Sequence, residues 1–181
     1  MTANVMLPIG GAARYASRPK EAAMAKVRAI PEGYSTVVSY ISVKGASDAI
    51  AFYKKAFGAE ELMRMPMPDG KVGHAELKIG DSIVMMADEM DDPQAISKSP
   101  KTLGGVTSGL CLYVEDCDAV FNRAVAAGGK VRRPLTNQFY GDRTGTIEDP
   151  FGQIWTISTH VEDVPPDEMK RRMEAFVHGG A

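Results

Sequence analysis

Two stretches of the chain concentrate side chains able to do chemistry. In Val72 to Ile79, His74 and Glu76 alternate with the apolar Ala75, Leu77 and Ile79. In Thr144 to Thr159 (TGTIEDPFGQIWTIST), Thr146, Glu148 and Thr156 occupy polar positions. On a strand, residues two apart share a face. A histidine and a carboxylate placed this way can ligate a divalent ion, move a proton or orient a polar ligand group. His74, Glu76 and Glu148 are therefore the candidate metal ligands, and Glu148 and Glu76 the candidate catalytic acid–base groups. Arg143 could clamp a carboxylate or phosphate through two parallel donors, and Tyr140 could supply an aromatic wall. Plainer alternatives are a hydrogen-bonded strand histidine for His74, a pair with Lys78 or a solvent-facing charge for Glu76, bonding to the backbone of the following turn for Glu148, and a structural ion pair for Asp142-Arg143. No serine or cysteine nucleophile motif accompanies His74 or His160, and Gly104-Gly105 is no phosphate loop.

These side chains need strands and turns to position them. Asp149-Pro150-Phe151-Gly152 is turn chemistry, flanked by strands Thr144–Glu148 and Ile154–Thr159. Alternation places Trp155 and Ile157 on an apolar, core-facing side, with Thr146, Glu148, Thr156 and Ser158 opposite. Upstream, Thr36 to Val43 is rich in β-branched residues and reads as a strand. Ser47 then caps a helix over Ala49 to Phe57, which Gly58 ends. Strands follow at Glu60–Met67, Val72–Ile79 and Ser82–Ala87. Asp88 to Gly105 is an aperiodic connector. A strand at Gly109–Val114, a helix at Cys117–Ala127, a short strand at Lys130–Arg133 and a loop from Pro134 to Asp142 complete the second half. Asp167 to Val177 reads as an amphipathic helix.

Composition bounds the function. The chain has 181 residues, a formal net charge of −2, 44% hydrophobic and 24% charged residues, which is ordinary globular composition. No basic stripe supports nucleic-acid binding, and no apolar run approaches the roughly 20 residues of a membrane helix. The two cysteines argue against a disulfide framework and for a cytoplasmic location. Cys111 falls in an apolar strand pattern that predicts a buried, inert thiol. Residues 1–31 read as a flexible N-terminal extension, in which Met24-Ala25-Lys26 has the look of a second translation start. Residues 32–163 form the main domain, with modules at 34–88 and 108–160. Residues 164–181 are a C-terminal helix and tail.

The two modules repeat. VKGASDAIAFYKKAFG from Val43 and VEDCDAVFNRAVAAG from Val114 each run from a strand through an acidic helix start and an apolar helix to Gly, about 70 residues apart. Repeated βαβββ units make an α+β fold in which a curled mixed sheet carries helices on its outer face and a cup on its inner face. On the stretches AIAFYKKAFGAEE, GHAELKIGDSIVMMADE and YGDRTGTIEDPFGQIWTISTHVED, the sequence resembles the vicinal-oxygen-chelate superfamily (glyoxalase/bleomycin resistance protein/dioxygenase), and within it the PhnB-like branch.

The resemblance implies a small-molecule ligand in the cup and a homodimer. It also implies metal ligands at the start of each first strand and on each last strand. PhnB-like relatives often carry His where this chain has Ser35 and Gln153, and the superfamily's ligand positions fall here near Val38, Gly109, Thr156 and the run Val84, Met85 and Met86. None of these is a good hard-metal ligand, so the expectation is a binder without a tightly held metal. Its ligand would be oriented by His74, Glu76, Tyr140, Arg143, Thr146, Glu148 and Thr156. A metal-dependent lyase, isomerase or dioxygenase of glyoxalase type is the first alternative, with a divalent ion as cofactor. A protein-interaction module with a filled cup is the second.

Overall fold

The computed structural model describes residues 27–92, 95 and 97–179. Most of the expected extension, including Met24 to Lys26, lies outside them. The first module comprises β1 (Ser39–Val43), α1 (Ala46–Phe57), β2 (Glu60–Pro66), β3 (Val72–Ile79) and β4 (Ser82–Asp88). After a short helix α2 (Pro100–Leu103) come β5 (Leu110–Tyr113), α3 (Cys117–Ala126), β6 (Lys130–Asn137), β7 (Asp142–Glu148), β8 (Ile154–His160) and α4 (Pro166–Gly179). Each module folds into a four-stranded mixed sheet, in orders β1-β4-β3-β2 and β5-β8-β7-β6. The first strand of each pairs parallel with the last, and the others pair antiparallel. The protein is thus α+β with two βαβββ units, and among the described residues no strand pairing closes one sheet onto the other.

Strand alternation decides where the core sits. Ala75, Leu77 and Ile79 on β3, Val84 and Met86 on β4, and Ile147, Trp155 and Ile157 on β7 and β8 join the apolar sides of α1 and α3 in one buried cluster. Trp155 is 2% exposed, as its pairing with Ile147 and its apolar face require. Gly145 lies on this covered face, where an added Cβ would sit 2.6 Å from the Phe121 ring of α3. The two modules meet through α1. The Tyr53 and Phe57 rings pack on Trp155 at centroid separations of 5.3 and 4.7 Å, within the range of favourable aromatic pairs.

Several local expectations are corrected. Helix α1 begins at Ala46, not Ala49, and Ser47 is not its cap. Gly45 takes that position with φ +88°, and the amides of Gly45 and Ala46 donate to the Asp88 carboxylate at 2.8 and 2.9 Å. A buried acid from the end of β4 does the capping that local sequence assigns to a serine. Strand β6 continues through Pro134 to Asn137 where a loop is expected. It is an edge strand with register shifts, the setting in which proline is tolerated. Strand β1 starts at Ser39 rather than Thr36. Cys111 is exposed, because it pairs with Thr156 on the face opposite Leu110 and Leu112; the buried thiol is Cys117.

Candidate functional site

The register of the first sheet lines up Met63, Glu76, Met85 and Tyr40 across all four strands. This row lies on the face away from α1, and His74 stands beside it, paired with Met65. Glu76 is 9% exposed although it faces away from the core. Tyr34, just ahead of β1, donates its hydroxyl to Glu76 Oε2. His74 Nε2 lies 3.3 Å from Glu76 Oε1, and Tyr40 Oη lies 3.3 Å from His74 Nδ1. The Tyr40 and His74 rings are 5.7 Å apart. One proton assignment satisfies every member: Tyr40 donates to Nδ1, Nε2–H donates to Oε1, and Tyr34 donates to Oε2. The bond to Glu76 raises the Tyr34 hydroxyl above its usual range, because a phenolate there would meet the carboxylate.

The expected partner Lys78 makes no ion pair with Glu76; among the described residues, His74 is the one charge-capable partner of this carboxylate. Sequence reasoning singled out His74 and Glu76 but missed Tyr34 and Tyr40. Tyr40 was legible by alternation on β1, whereas Tyr34 precedes the strand and no periodicity marks it.

The remaining candidates lie on the second sheet. Thr146 and Thr156 are opposite one another on β7 and β8, with their hydroxyls 3.2 Å apart. Glu148 is paired with Arg132. The carboxylate that bonds the backbone of the following turn is instead the neighbouring Asp149, which accepts from Phe151 N and Gln153 N at 2.9 Å each. Arg143 is engaged by both oxygens of Asp118, at 2.6 and 2.7 Å, and donates to Asn137 at 3.2 Å. That pairing holds the Asp118 carboxyl below its usual range. Asp142 turns elsewhere, accepting from Tyr113 and facing His160 Nδ1, both at 2.7 Å. Tyr140, 39% exposed, packs edge-on to Phe139.

Tyr113, Asp142, His160 and Asp163 form a second polar cluster that sequence reasoning did not foresee. His160 Nε2 lies 3.0 Å from Asp163 Oδ1. The bond to Asp142, then that to Asp163, raises the imidazole above its ordinary value. Burial works against the Asp142 charge, yet the His160 and Tyr113 bonds outweigh it and hold the carboxyl below its usual range. The same bond pushes Tyr113 up to about 12.

Metal chemistry in this fold requires converging donors. Among the described residues, no group of three His, Cys, Asp or Glu side chains is placed to hold an ion. His74 and Glu76 stand on β3 of one sheet and Glu148 on β7 of the other, already tied to Arg132. That trio is not assembled within one chain, and two donors alone do not fit a resident metal. A cleft of about 530 Å³ opens between β1 and β5, with Val38, Leu112 and Trp155 in its lining, but neither His74 nor Glu76 faces it.

Comparison with known proteins agrees with this architecture. An uncharacterized protein of Mycobacterium bovis, Mb0911c, is 42% identical over 139 residues, covering 75% of this chain and 90% of that protein. The crystal structure of TioX from Micromonospora sp. ML1 superposes with a TM-score of 0.56 at 27% identity, over 70% of this chain and 99% of TioX. A PhnB protein from Bacillus cereus shares the fold, with a TM-score of 0.54 at 20% identity over 69% of this chain and 99% of that one. Residues 35–157, which hold both βαβββ units almost entirely, match the family as a whole. On that match and the paired modules, the chain belongs to the glyoxalase/bleomycin resistance protein/dioxygenase superfamily.

Proposed function

We propose that this protein binds a small organic molecule on the face of the first sheet that carries His74 and Glu76, without a tightly held metal. The observation that carries the reading is the burial of Glu76. A carboxylate on the side of a sheet that none of the described helices covers would ordinarily be solvated. This one is 9% exposed and held by Tyr34 and His74, in a row with Met63, Met85 and Tyr40. Ligand sites combine apolar walls with a few fixed polar groups, and methionine walls adapt to varied shapes.

In one chain this face is open: Tyr40 is 51% and Met65 56% exposed. We place a second copy over it, so that a homodimer closes the cup. The polar face of the second sheet, with Thr146, Thr156 and Glu148 and the nearby Tyr140 as contributors, is the counterpart that would complete it; Arg143 lies on the opposite face, held by Asp118 of α3. The two free cysteines suit a reducing compartment, and we assign the protein to the cytoplasm. Among the described residues no helix is long and apolar enough to cross a membrane.

The uncharged fluorescent dye N-phenyl-1-naphthylamine tests the reading independently of charge. The wild type brightens the dye saturably, and the double variant Tyr40→Ala/Met85→Ala, checked for folding by circular dichroism, weakens binding at least about tenfold, or about 1.4 kcal/mol. Equal binding by wild type and variant overturns it. Light scattering on the same samples reports the dimer.

A further inference from the structure

We propose that the Glu76 face takes an organic cation: a protonated amine carried on an apolar or aromatic body. This rests on the preceding reading that the face is the ligand site, and adds the chemical class of the ligand.

Three other buried carboxylates, Asp88, Asp149 and Glu89, are consumed by the fold, and a fourth, Asp142, lies in the Tyr113–His160 cluster of the second module. Asp88 accepts from the backbone amides of Gly45, Ala46 and Val72. Asp149 accepts from two backbone amides, the Trp155 indole and Tyr53. Glu89 accepts from the Ser99 amide and hydroxyl and from Thr102, with Lys98 3.6 Å away. Among the described residues Glu76 caps no helix and receives no backbone amide; its two partners there are side chains on the open face.

The hydrogen bonds that reach Glu76 among the described residues come from a phenol and an imidazole, not from a lysine or arginine. Tyr34 delivers one proton, and the Tyr40–His74 chain delivers another through Nε2–H. No lysine or arginine among the described residues is paired with this partly desolvated carboxylate. A charge in that situation gains most from an opposite charge. Lys78, two residues along the same strand face, is exposed and forms no ion pair with it. The surrounding surface suits the same ligand. The Tyr40 ring offers a negative π face to a cation, and Met63 and Met85, directly opposite Glu76 on the neighbouring strands, offer polarisable apolar area to the body that carries it. An anion of the same shape would meet repulsion from Glu76, and a neutral ligand would leave the charge without a counter-ion.

The test is a charge series on one skeleton: 2-naphthylmethylammonium, 2-naphthylmethanol and 2-naphthoate, titrated calorimetrically into the full chain. The expected order has the ammonium bound about tenfold or more tighter than the alcohol, with the naphthoate weakest. Glu76→Gln brings ammonium affinity down to that of the alcohol and leaves the alcohol within about twofold. If that variant does not fold, the wild-type series still decides. Equal affinity across the series, or naphthoate tightest, overturns the cation assignment while leaving dye binding and the site reading intact. No binding of any member, together with no dye binding, overturns both.

Discussion

Tyr53 of α1 donates its hydroxyl to Asp149 Oδ2 at 2.7 Å, across 96 residues of sequence, and so links the first module to the turn of the second. The same oxygen accepts from the Trp155 indole at 3.1 Å. Burial raises the Asp149 carboxyl above its ordinary value against these bonds, and burial with the nearby Asp149 raises the Tyr53 hydroxyl well above its own. The junction is therefore a buried polar bond inside an aromatic cluster, not a loose hinge.

Removing that hydroxyl should loosen the modules. Tyr53→Phe keeps the ring packing but deprives a buried carboxylate of one donor, a loss of about 1–3 kcal/mol. Urea unfolding measures it. A change within experimental error would mean that solvent replaces the hydroxyl and that the junction is wetter than described.

Asp88 caps α1 and also accepts from Val72 N at 2.8 Å, so it ties β4, α1 and β3 together. Asp88→Ala orphans three backbone amides at once. The expected cost is about 2–3 kcal/mol or more, at the upper end for a lost buried acceptor. Ser47→Ala, on the residue that sequence logic makes the cap, should cost no more than about 0.5 kcal/mol. Thermal unfolding of the two variants side by side checks the assignment.

The His160–Asp142 pair predicts a pH signature. The folded histidine value is raised, so its contribution is complete below about pH 6.5, the ordinary value, and fades as pH climbs through the folded value. The folded Asp142 value is lowered, so its contribution is present above about pH 4 and fades as pH falls through the folded value. The difference in melting temperature between wild type and His160→Gln should be largest between about pH 4 and 6.5 and shrink above that window. A difference that stays constant as pH rises would show that the bonds to Asp142 and Asp163 are not ionic.

Arg143 is held by both oxygens of Asp118 on an exposed surface. Arg143→Ala should lower stability by no more than about 1 kcal/mol and leave dye affinity within about twofold. A tenfold loss of ligand affinity would restore its role as an anion clamp.

The fold was legible because its signals are local and repeated: alternation in β3, β7 and β8, the Asp-Pro-Phe-Gly turn, and two helix units ending at glycine. His74 and Glu76 were legible for the same reason, since a period of two puts them on one face of β3. What was not legible depends on residues far apart in sequence. The acid that caps α1 lies at the end of β4, 43 residues from Gly45. Tyr34 reaches Glu76 over 42 residues from outside any strand. Cys111 sits in an apolar run, but its exposure is set by which side of the second sheet the helices cover, and that is decided by tertiary packing. The proline in β6 reads as a strand breaker until its edge position is known.

The most direct test of the ligand face uses methionine methyl groups labelled with carbon-13, because Met63, Met65 and Met85 lie on that face while Met86 is fully buried on the opposite one and Met169 and Met173 lie on α4. Titration with N-phenyl-1-naphthylamine and 2-naphthylmethylammonium, with assignments from single Met→Leu variants, should move the Met63, Met65 and Met85 signals first and leave those of Met169 and Met173 in place. Shifts confined to Met169 and Met173, or no shifts at saturating probe, would contradict a ligand site built around Glu76.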